Sequence, residues 1–314
     1  MINKKSKIFV AGHNGFVGRA IIKKLAELGY QNVFTQSRKK LDLLDTKKVF
    51  NYIQKKKPNC IIVAAAFTGG ILFNQKKKSE VLYKNILMQN NLIEAARLNK
   101  SKDLLFLASN CIYSKAAKQP WQEKDILNGP LEETHESYSL SKIIGIKLCE
   151  YYNSEYKTNF KTLILTNIYG PGDKYNSFTS TFFAAFLKKF YHAKKNKEKK
   201  VFINSKETIK REILYVEDVA LACIFFLKKK TKHLTINIGP SKEMTLKQYA
   251  EFIKKKLDLK IKIIFSNNSV GGIEKKSLNC KIANNYGWKP KFNLEKGFQL
   301  TIKDLEKNIR MYDI

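Results

Sequence analysis

The sequence predicts an α/β protein: a doubly wound parallel sheet followed by a smaller C-terminal α/β lobe. Three features carry that expectation: apolar runs alternating with segments of helical spacing, a glycine-rich turn directly after the first run, and a looser pattern after Pro171. The runs "KIFVAG", "NVFTQS", "CIIVAAA", "DLLFLAS" and "TLILTNIYG" are continuous and rich in apolar residues. A strand covered by helices on both faces has no polar side, so such runs between helices indicate a buried parallel sheet.

After Pro171 come the helical "TSTFFAAFLKKFYHAKK", the strand-like "KVFIN", a helix around "VEDVALACIFFLKK", the short strand "LTINIG" and the strand "IKIIF". The expected division is a first domain over residues 1–170, with segments near 213–240 returning to it. A smaller lobe is then expected over 171–212 and 241–314. The chain has no internal repeat and no low-complexity linker.

Composition narrows the class. With 314 residues and 44% hydrophobic content the chain can fill a core of this size. The formal net charge of +32 would ordinarily suggest nucleic acid or another anionic surface. Only Arg19, Arg38, Arg97, Arg211 and Arg310 are arginine, and lysine runs such as Lys55 to Lys57, Lys76 to Lys78 and Lys228 to Lys230 fall at expected helix ends. Cations there complement the helix dipole as solvated surface. No aromatic-basic strand motif or recognition helix accompanies the charge, so no nucleic-acid partner is expected. No apolar run is long enough to cross a bilayer, and the one at the N-terminus is too short for a signal peptide. A soluble, unprocessed protein with no membrane partner is expected. The five cysteines are scattered and form no C-x-x-C pair. Neither a disulfide framework nor a metal site is expected, which favours a reducing cytoplasm.

Gly12, Gly15 and Gly18 form G-x-x-G-x-x-G in "VAGHNGFVGRA", between the first strand and the first helix. Glycine there lets the backbone turn tightly and approach a pyrophosphate, which the amides and dipole of the helix N-terminus stabilise. The first domain is therefore expected to be of Rossmann type and to bind a dinucleotide. At the end of the second strand a carboxylate would grip a ribose 2'-hydroxyl, but "TQSRKK" offers Ser37, Arg38 and Lys39. In so basic a chain Lys39 carries little weight and a lone arginine is also ordinary surface. Arg38, one of five, favours a 2'-phosphate and hence NADP(H).

Tyr138 and Lys142 in "ESYSLSKIIG" stand four apart at the start of a helix and share a face. Ser109 ends the fourth strand, the edge at which parallel sheets place ligands. Serine, tyrosine and lysine gathered there suit carbonyl reduction. The phenol gives a proton to the forming alkoxide, the ammonium lowers the phenol pKa from about 10, and the serine holds the oxygen. Y-x-x-x-K alone is weak in a lysine-rich chain. With the glycine loop and the strand-end serine it becomes strong.

At this point the chain resembles the GDP-L-fucose synthase family of extended short-chain dehydrogenases/reductases, which are 3,5-epimerases and 4-reductases of a GDP-4-keto sugar. The stretches that carry the resemblance are "VAGHNGFVG", "VAAAFTGGI", "LASNCIYSK", "GPLEETHESYSLSKIIGIKLCEYYN", "TNIYGPGD", "REILYVEDVA" and "INIG". They extend over most of the chain. The resemblance implies that Asn14, Phe16 and Val17 of the loop, Ala64, Ala65 and Ala66 after the third strand, Lys142, and Asn167 on the fifth strand line an NADPH site. It implies Ser109, Tyr138 and Lys142 as the reductase residues and a homodimer as the assembly.

The family also uses the cysteine of "S-x-C-I-Y" to deprotonate carbons beside the ketone, which here is Cys111. An extended segment would turn Ser109 and Cys111 toward one cleft. An isolated cysteine near a strand end is otherwise packing. The returning acid in the family is a histidine downstream of "N-x-Y-G-P", a place that falls on Thr181. His192, eleven residues further along a helix, would lie about 16 Å away and is expected at the surface. The family's diphosphate cations correspond to Lys188 and Lys189, to Arg211, and to Lys275 and Lys276.

The expected function is NADPH-dependent C4 reduction of a GDP-4-keto sugar, hexose or heptose, in synthesis of a surface polysaccharide, with a separate 3,5-epimerase where inversion is needed. The rivals are the bifunctional epimerase/reductase and a non-catalytic NADP-binding module.

Overall fold

The first apolar run forms strand β1 (Ile8–Ala11), and the chain turns through the glycine loop into helix α1 (Phe16–Glu27). The computed structural model describes residues 1–176, 179–266 and 273–308. Of the expected smaller lobe, residues 177–178, 267–272 and 309–314 lie outside the described residues. The chain continues through β2 (Val33–Phe34), α2 (Thr46–Lys56), β3 (Cys60–Val63), α3 (Ile71–Lys76), α4 (Lys78–Leu98) and β4 (Asp103–Ser109). Helix α5 (Glu136–Tyr156) and β5 (Phe160–Leu165) follow. The α2 start is set by Asp45, whose carboxylate accepts from the Lys48 amide at 3.0 Å.

Next come β6 (Asn167–Tyr169), α6 (Phe182–Lys195), β7 (Lys200–Ile203), β8 (Lys210–Arg211), β9 (Ile213–Tyr215), α7 (Val216–Lys228) and β10 (Thr235–Ile238). The last elements are β11 (Met244–Thr245), α8 (Leu246–Lys256), β12 (Lys262–Phe265), β13 (Lys275–Lys276), α9 (Lys281–Asn285) and α10 (Leu294–Lys307).

The main sheet has six strands in the order β10-β5-β4-β3-β1-β2, and every pairing is parallel. Strand periodicity divides its side chains between two cores. Phe9, Ile61, Val63, Leu104 and Phe106 face Val49 and Ile53 of α2, Leu92 and Ala96 of α4, and Ile143 and Ile146 of α5. Ile8, Val10, Ile62, Leu105 and Leu163 face Ile21 and Leu25 of α1 and Val219, Cys223 and Phe226 of α7. This is the doubly wound arrangement that the continuous apolar runs require. The strand order reverses between β1 and β3, and the crevice beyond the carboxyl ends there is where such sheets take ligands.

A third core lies outside the sheet. Phe183, Leu187 and Phe190 of α6 pack with Tyr249 and Ile253 of α8 and Phe298 of α10. Short pairs flank it: β7 runs parallel to β12, and β8 is held between β11 and β13. Asn167 does not lie on the fifth strand as expected. β5 ends at Leu165 and Asn167 opens β6, which leaves the main sheet to pair with β9. Among the described residues no helix is long and apolar enough to cross a membrane.

Candidate active site

Strand β4 delivers Ser109 to the carboxyl edge of the sheet, and α5 packs beside it. Tyr138 stands in the first turn of α5 and Lys142 one turn later, so both lie on the same helix face. The Lys142 ammonium sits 4.6 Å from the Phe106 ring centroid and 5.6 Å from the Tyr138 ring centroid. Sequence neighbours on opposite sides of the helix do not converge this way; the i, i+4 spacing does.

Burial dominates the electrostatics. It pushes Lys142 down to about 8, with Cys111 acting weakly in the opposite sense. It pushes the Tyr138 phenol well above its ordinary value, and Cys111 adds to the rise. The phenol therefore stays protonated at any physiological pH, the form in which it can donate. Lys142 is charged at neutral pH with little to spare.

Cys111 does not follow Ser109 in an extended segment. The chain turns after β4 into a single 3-10 turn, Asn110–Ile112. The thiol nevertheless meets the side chains of Ser109 and Ser139, and the Ser139 hydroxyl donates to the Cys111 carbonyl at 2.8 Å. Cys111 is only 5% exposed, and burial raises its thiol pKa against the lowering influence of Ser139, Lys276 and Ser109. Thr181 is the N-cap of α6, and its buried hydroxyl has no hydrogen-bond partner among the described residues.

The glycine loop has the shape a dinucleotide needs. Gly12 adopts φ +86°, and a Cβ there would fall 2.5 Å from the Ala65 amide nitrogen. A Cβ at Gly18 would fall 2.1 Å from the Gly12 carbonyl oxygen, so the helix start can pack against the turn only as glycine. Ala64 donates its amide to the Ala11 carbonyl at 3.0 Å, which brings the stretch after β3, Ala64 to Ala66, beside the loop. Gly15 caps α1 with no side-chain hydrogen bond, leaving the first-turn amides for a pyrophosphate. Phe16 and Val17 begin that turn, and Asn14 precedes it. Arg38 is exposed beyond β2, with only a 3.8 Å pairing to Asp42. Such a contact holds weakly, so the guanidinium can turn to a phosphate. These residues fit a bound dinucleotide.

Arg19 was not singled out by its sequence position. It donates to the Asn14 carbonyl and to the Gly172 carbonyl, each at 2.6 Å, and so ties the dinucleotide loop to the turn after β6. Only the fold brings these stretches together. Asn167 donates its amide to the Glu212 carbonyl at 3.1 Å.

The expected phosphate cations separate. Lys189 lines a cavity of about 390 Å³ between α6 and β7, together with Lys188, Lys200, Tyr175 and Phe202. Its ammonium donates to the Phe202 carbonyl at 2.7 Å. His192, expected at the surface, lines this cavity as well. Arg211 sits in β8, where burial lowers its pKa to about 10 and Glu132 opposes the shift; it donates to the Lys210 carbonyl at 2.8 Å.

Lys276 is not a free cation. It is buried and donates to Glu132 at 2.7 Å. Glu132 also accepts from the Thr134 hydroxyl at 2.6 Å and lies 3.8 Å from His135. Burial alone would raise its pKa, but His135, Lys276 and Thr134 together hold it well below the usual carboxylate range. The Lys276 ammonium, expected at the diphosphate, is engaged here by Glu132, the counter-charge that a buried ammonium needs.

The model of the family described as "NAD dependent epimerase/dehydratase family" matches residues 8–239. A GDP-L-fucose synthase from Sinorhizobium fredii is 37% identical over 303 residues, covering 96% of this chain and 96% of that protein. A GDP-6-OMe-4-keto-L-xylo-heptose reductase from Campylobacter jejuni superposes with a TM-score of 0.91 at 27% identity, covering 98% of this chain and 99% of that one. MlghC, a GDP-mannoheptose C4 reductase from the same organism with NADP bound, gives 0.89 at 27% identity, covering 98% and 100%. With its doubly wound sheet, glycine loop and Ser109, Tyr138 and Lys142 at the sheet edge, the chain belongs to the NAD dependent epimerase/dehydratase family, the extended short-chain dehydrogenases/reductases.

Proposed function

We propose that this protein is an NADPH-dependent C4-reductase of a GDP-4-keto sugar, a 6-deoxyhexose or heptose, serving synthesis of a surface polysaccharide. The observation that carries the reading is the asymmetry of the site. Tyr138 and Lys142 lie on one face of α5, which packs beside the strand that ends in Ser109, while Cys111 is a buried thiol and Thr181 stands where the resemblance would put the returning acid. Relatives named as GDP-L-fucose synthases and neighbours named as GDP-heptose reductases support the substrate class.

NADPH, held by the glycine loop and Arg38, supplies a hydride to the ketone carbon when bound. Ser109 holds the ketone oxygen in line, and Tyr138 gives its proton to that oxygen as negative charge develops on it. Lys142, charged below about pH 8, offsets the phenolate that remains. The ketone gains one hydride and one proton and becomes the alcohol. Base chemistry at Cys111 would need a thiolate, which burial disfavours. A separate 3,5-epimerase is the partner where the product requires inversion.

The cavity between α6 and β7 is the proposed seat of the nucleotide diphosphate, with Lys189 at the phosphates and Arg211 on β8 beyond it. A homodimer is supported by the side chains that α4 and α5 leave exposed: Tyr83 and Leu98 on one helix, Leu140, Ile144 and Tyr151 on the other. Five free, buried cysteines agree with a reducing cytoplasm.

The bifunctional epimerase/reductase is the second reading, favoured by the contact of Cys111 with Ser109 and Ser139. The test is a panel of GDP-4-keto sugars, with and without an added epimerase, assayed for NADPH oxidation. Oxidation with pre-epimerised substrates alone supports the reductase. Oxidation with none of them removes the reading.

A further inference from the structure

The cavity between α6 and β7 has the size of a small-molecule site, about 390 Å³ against the roughly 300–1,000 Å³ usual for such sites. Its cations are Lys188, Lys189 and Lys200, and Ala185, Val201 and Phe202 give it apolar walls. Glu198 is the single carboxylate among the described lining residues. It sits in the turn between α6 and β7, fixed by its amide donating to the Ala193 carbonyl at 3.0 Å. Its carboxylate makes no ion pair with a described residue, although lysines surround it in sequence.

A site that held only a diphosphate would be weakened by that negative charge. The carboxylate becomes favourable if the ligand also presents donors. Guanine does so in a particular way: its N1–H and exocyclic N2 amine point in parallel from one edge and match the two oxygens of a carboxylate. Adenine, cytosine and uracil each place an acceptor beside their donor on that edge. The wall supplies the complement. Burial alternates along β7, so Val201 turns inward while Phe202, 59% exposed, leaves an aromatic face open for a base to stack on. Lys189 donates to the carbonyl of that same residue, which keeps a cation beside the base platform.

We propose that Glu198 sets the base specificity of the nucleotide sugar, accepting from N1–H and the N2 amine of guanine stacked on Phe202. This rests on the reading that the GDP moiety occupies this cavity. It adds a specificity residue drawn from the turn after α6, outside the stretches that carry the family resemblance.

The test is competitive binding of GDP, IDP and UDP to the full-length protein and to the Glu198→Gln, Glu198→Asp and Lys189→Met variants. IDP keeps the diphosphate and N1–H but lacks the N2 amine. The unmodified protein should prefer GDP over IDP by about tenfold, close to 1.4 kcal/mol, and UDP should bind more weakly still. Glu198→Gln should bring GDP down to the level of IDP, and Glu198→Asp should keep the order GDP, IDP, UDP. The sign is decisive. Deleting a bystander negative charge near phosphates strengthens all three ligands, whereas loss of a base contact weakens GDP alone. Equal strengthening, or an unchanged GDP-to-IDP ratio, would overturn the role of Glu198. Lys189→Met should weaken all three alike. If it leaves all three unchanged, the cavity is not the nucleotide seat and the reading beneath the inference falls with it.

Discussion

Glu132 and Lys276, 144 residues apart in sequence, close a buried ion pair of 2.7 Å that joins the approach to α5 with strand β13. Glu132 lies four residues before α5, whose first turn carries Tyr138, and β13 pairs with β8, which carries Arg211. The pair therefore fixes the start of α5 against β13 and β8.

Removing one partner leaves a buried charge without compensation. Glu132→Ala should destabilise the fold by about 3–5 kcal/mol, whereas Glu132→Leu with Lys276→Met should recover most of that loss. Urea unfolding of the three proteins measures it, and a double variant no more stable than the single one would contradict the account. The folded Glu132 pKa is depressed, so its contribution is complete above the ordinary carboxylate pKa of about 4.3. It is withdrawn as the pH falls through the lower folded value.

Tyr138→Phe should lower the rate of reduction by about 100- to 10,000-fold while NADPH still binds, because the hydroxyl donates a proton rather than anchoring the cofactor. Single-turnover NADPH oxidation beside a cofactor titration separates the two effects. Near-normal turnover would show that the proton comes from another group.

Lys142 should set the alkaline limb of the pH profile. Burial lowers its pKa to about 8, so the ammonium is present below that value and is lost as the pH rises through it. The rate of the chemical step should fall above pH 8. Lys142→Arg, slower in absolute terms, should show no fall in that range because arginine keeps its charge. Identical alkaline limbs in the two proteins would assign the titration elsewhere.

Arg38→Ala should raise the KM for NADPH far more than that for NADH, since only the former carries the 2'-phosphate. Equal effects on both cofactors would remove Arg38 from the site.

How much of this was legible before the structure depended on distance along the chain. The glycine loop, the strand-end Ser109 and the Tyr138/Lys142 pair are local patterns, and each requires only the strand or helix it stands on. The continuous apolar runs could be read because a sheet covered on both faces leaves no polar side. The path of Cys111 could not be read. Nothing in "SNCIY" distinguishes an extended exit from the 3-10 turn that the chain takes. The engagement of Lys276 by Glu132 and the bond from Arg19 to Gly172 were hidden for a different reason: each joins stretches more than a hundred residues apart, and only the completed fold brings them together.

The central claim is that this site reduces C4 and does not invert C3 or C5. The most direct measurement is the product of a GDP-4-keto sugar incubated with the enzyme and unlabelled NADPH in deuterated water, read by NMR. The account expects a C4 alcohol whose new C–H bond is protium from the cofactor, with configuration at C3 and C5 retained and no enzyme-dependent deuterium there. The same product should form with Cys111→Ser. Inverted product carrying deuterium at C3 and C5, lost on Cys111→Ser, would contradict it.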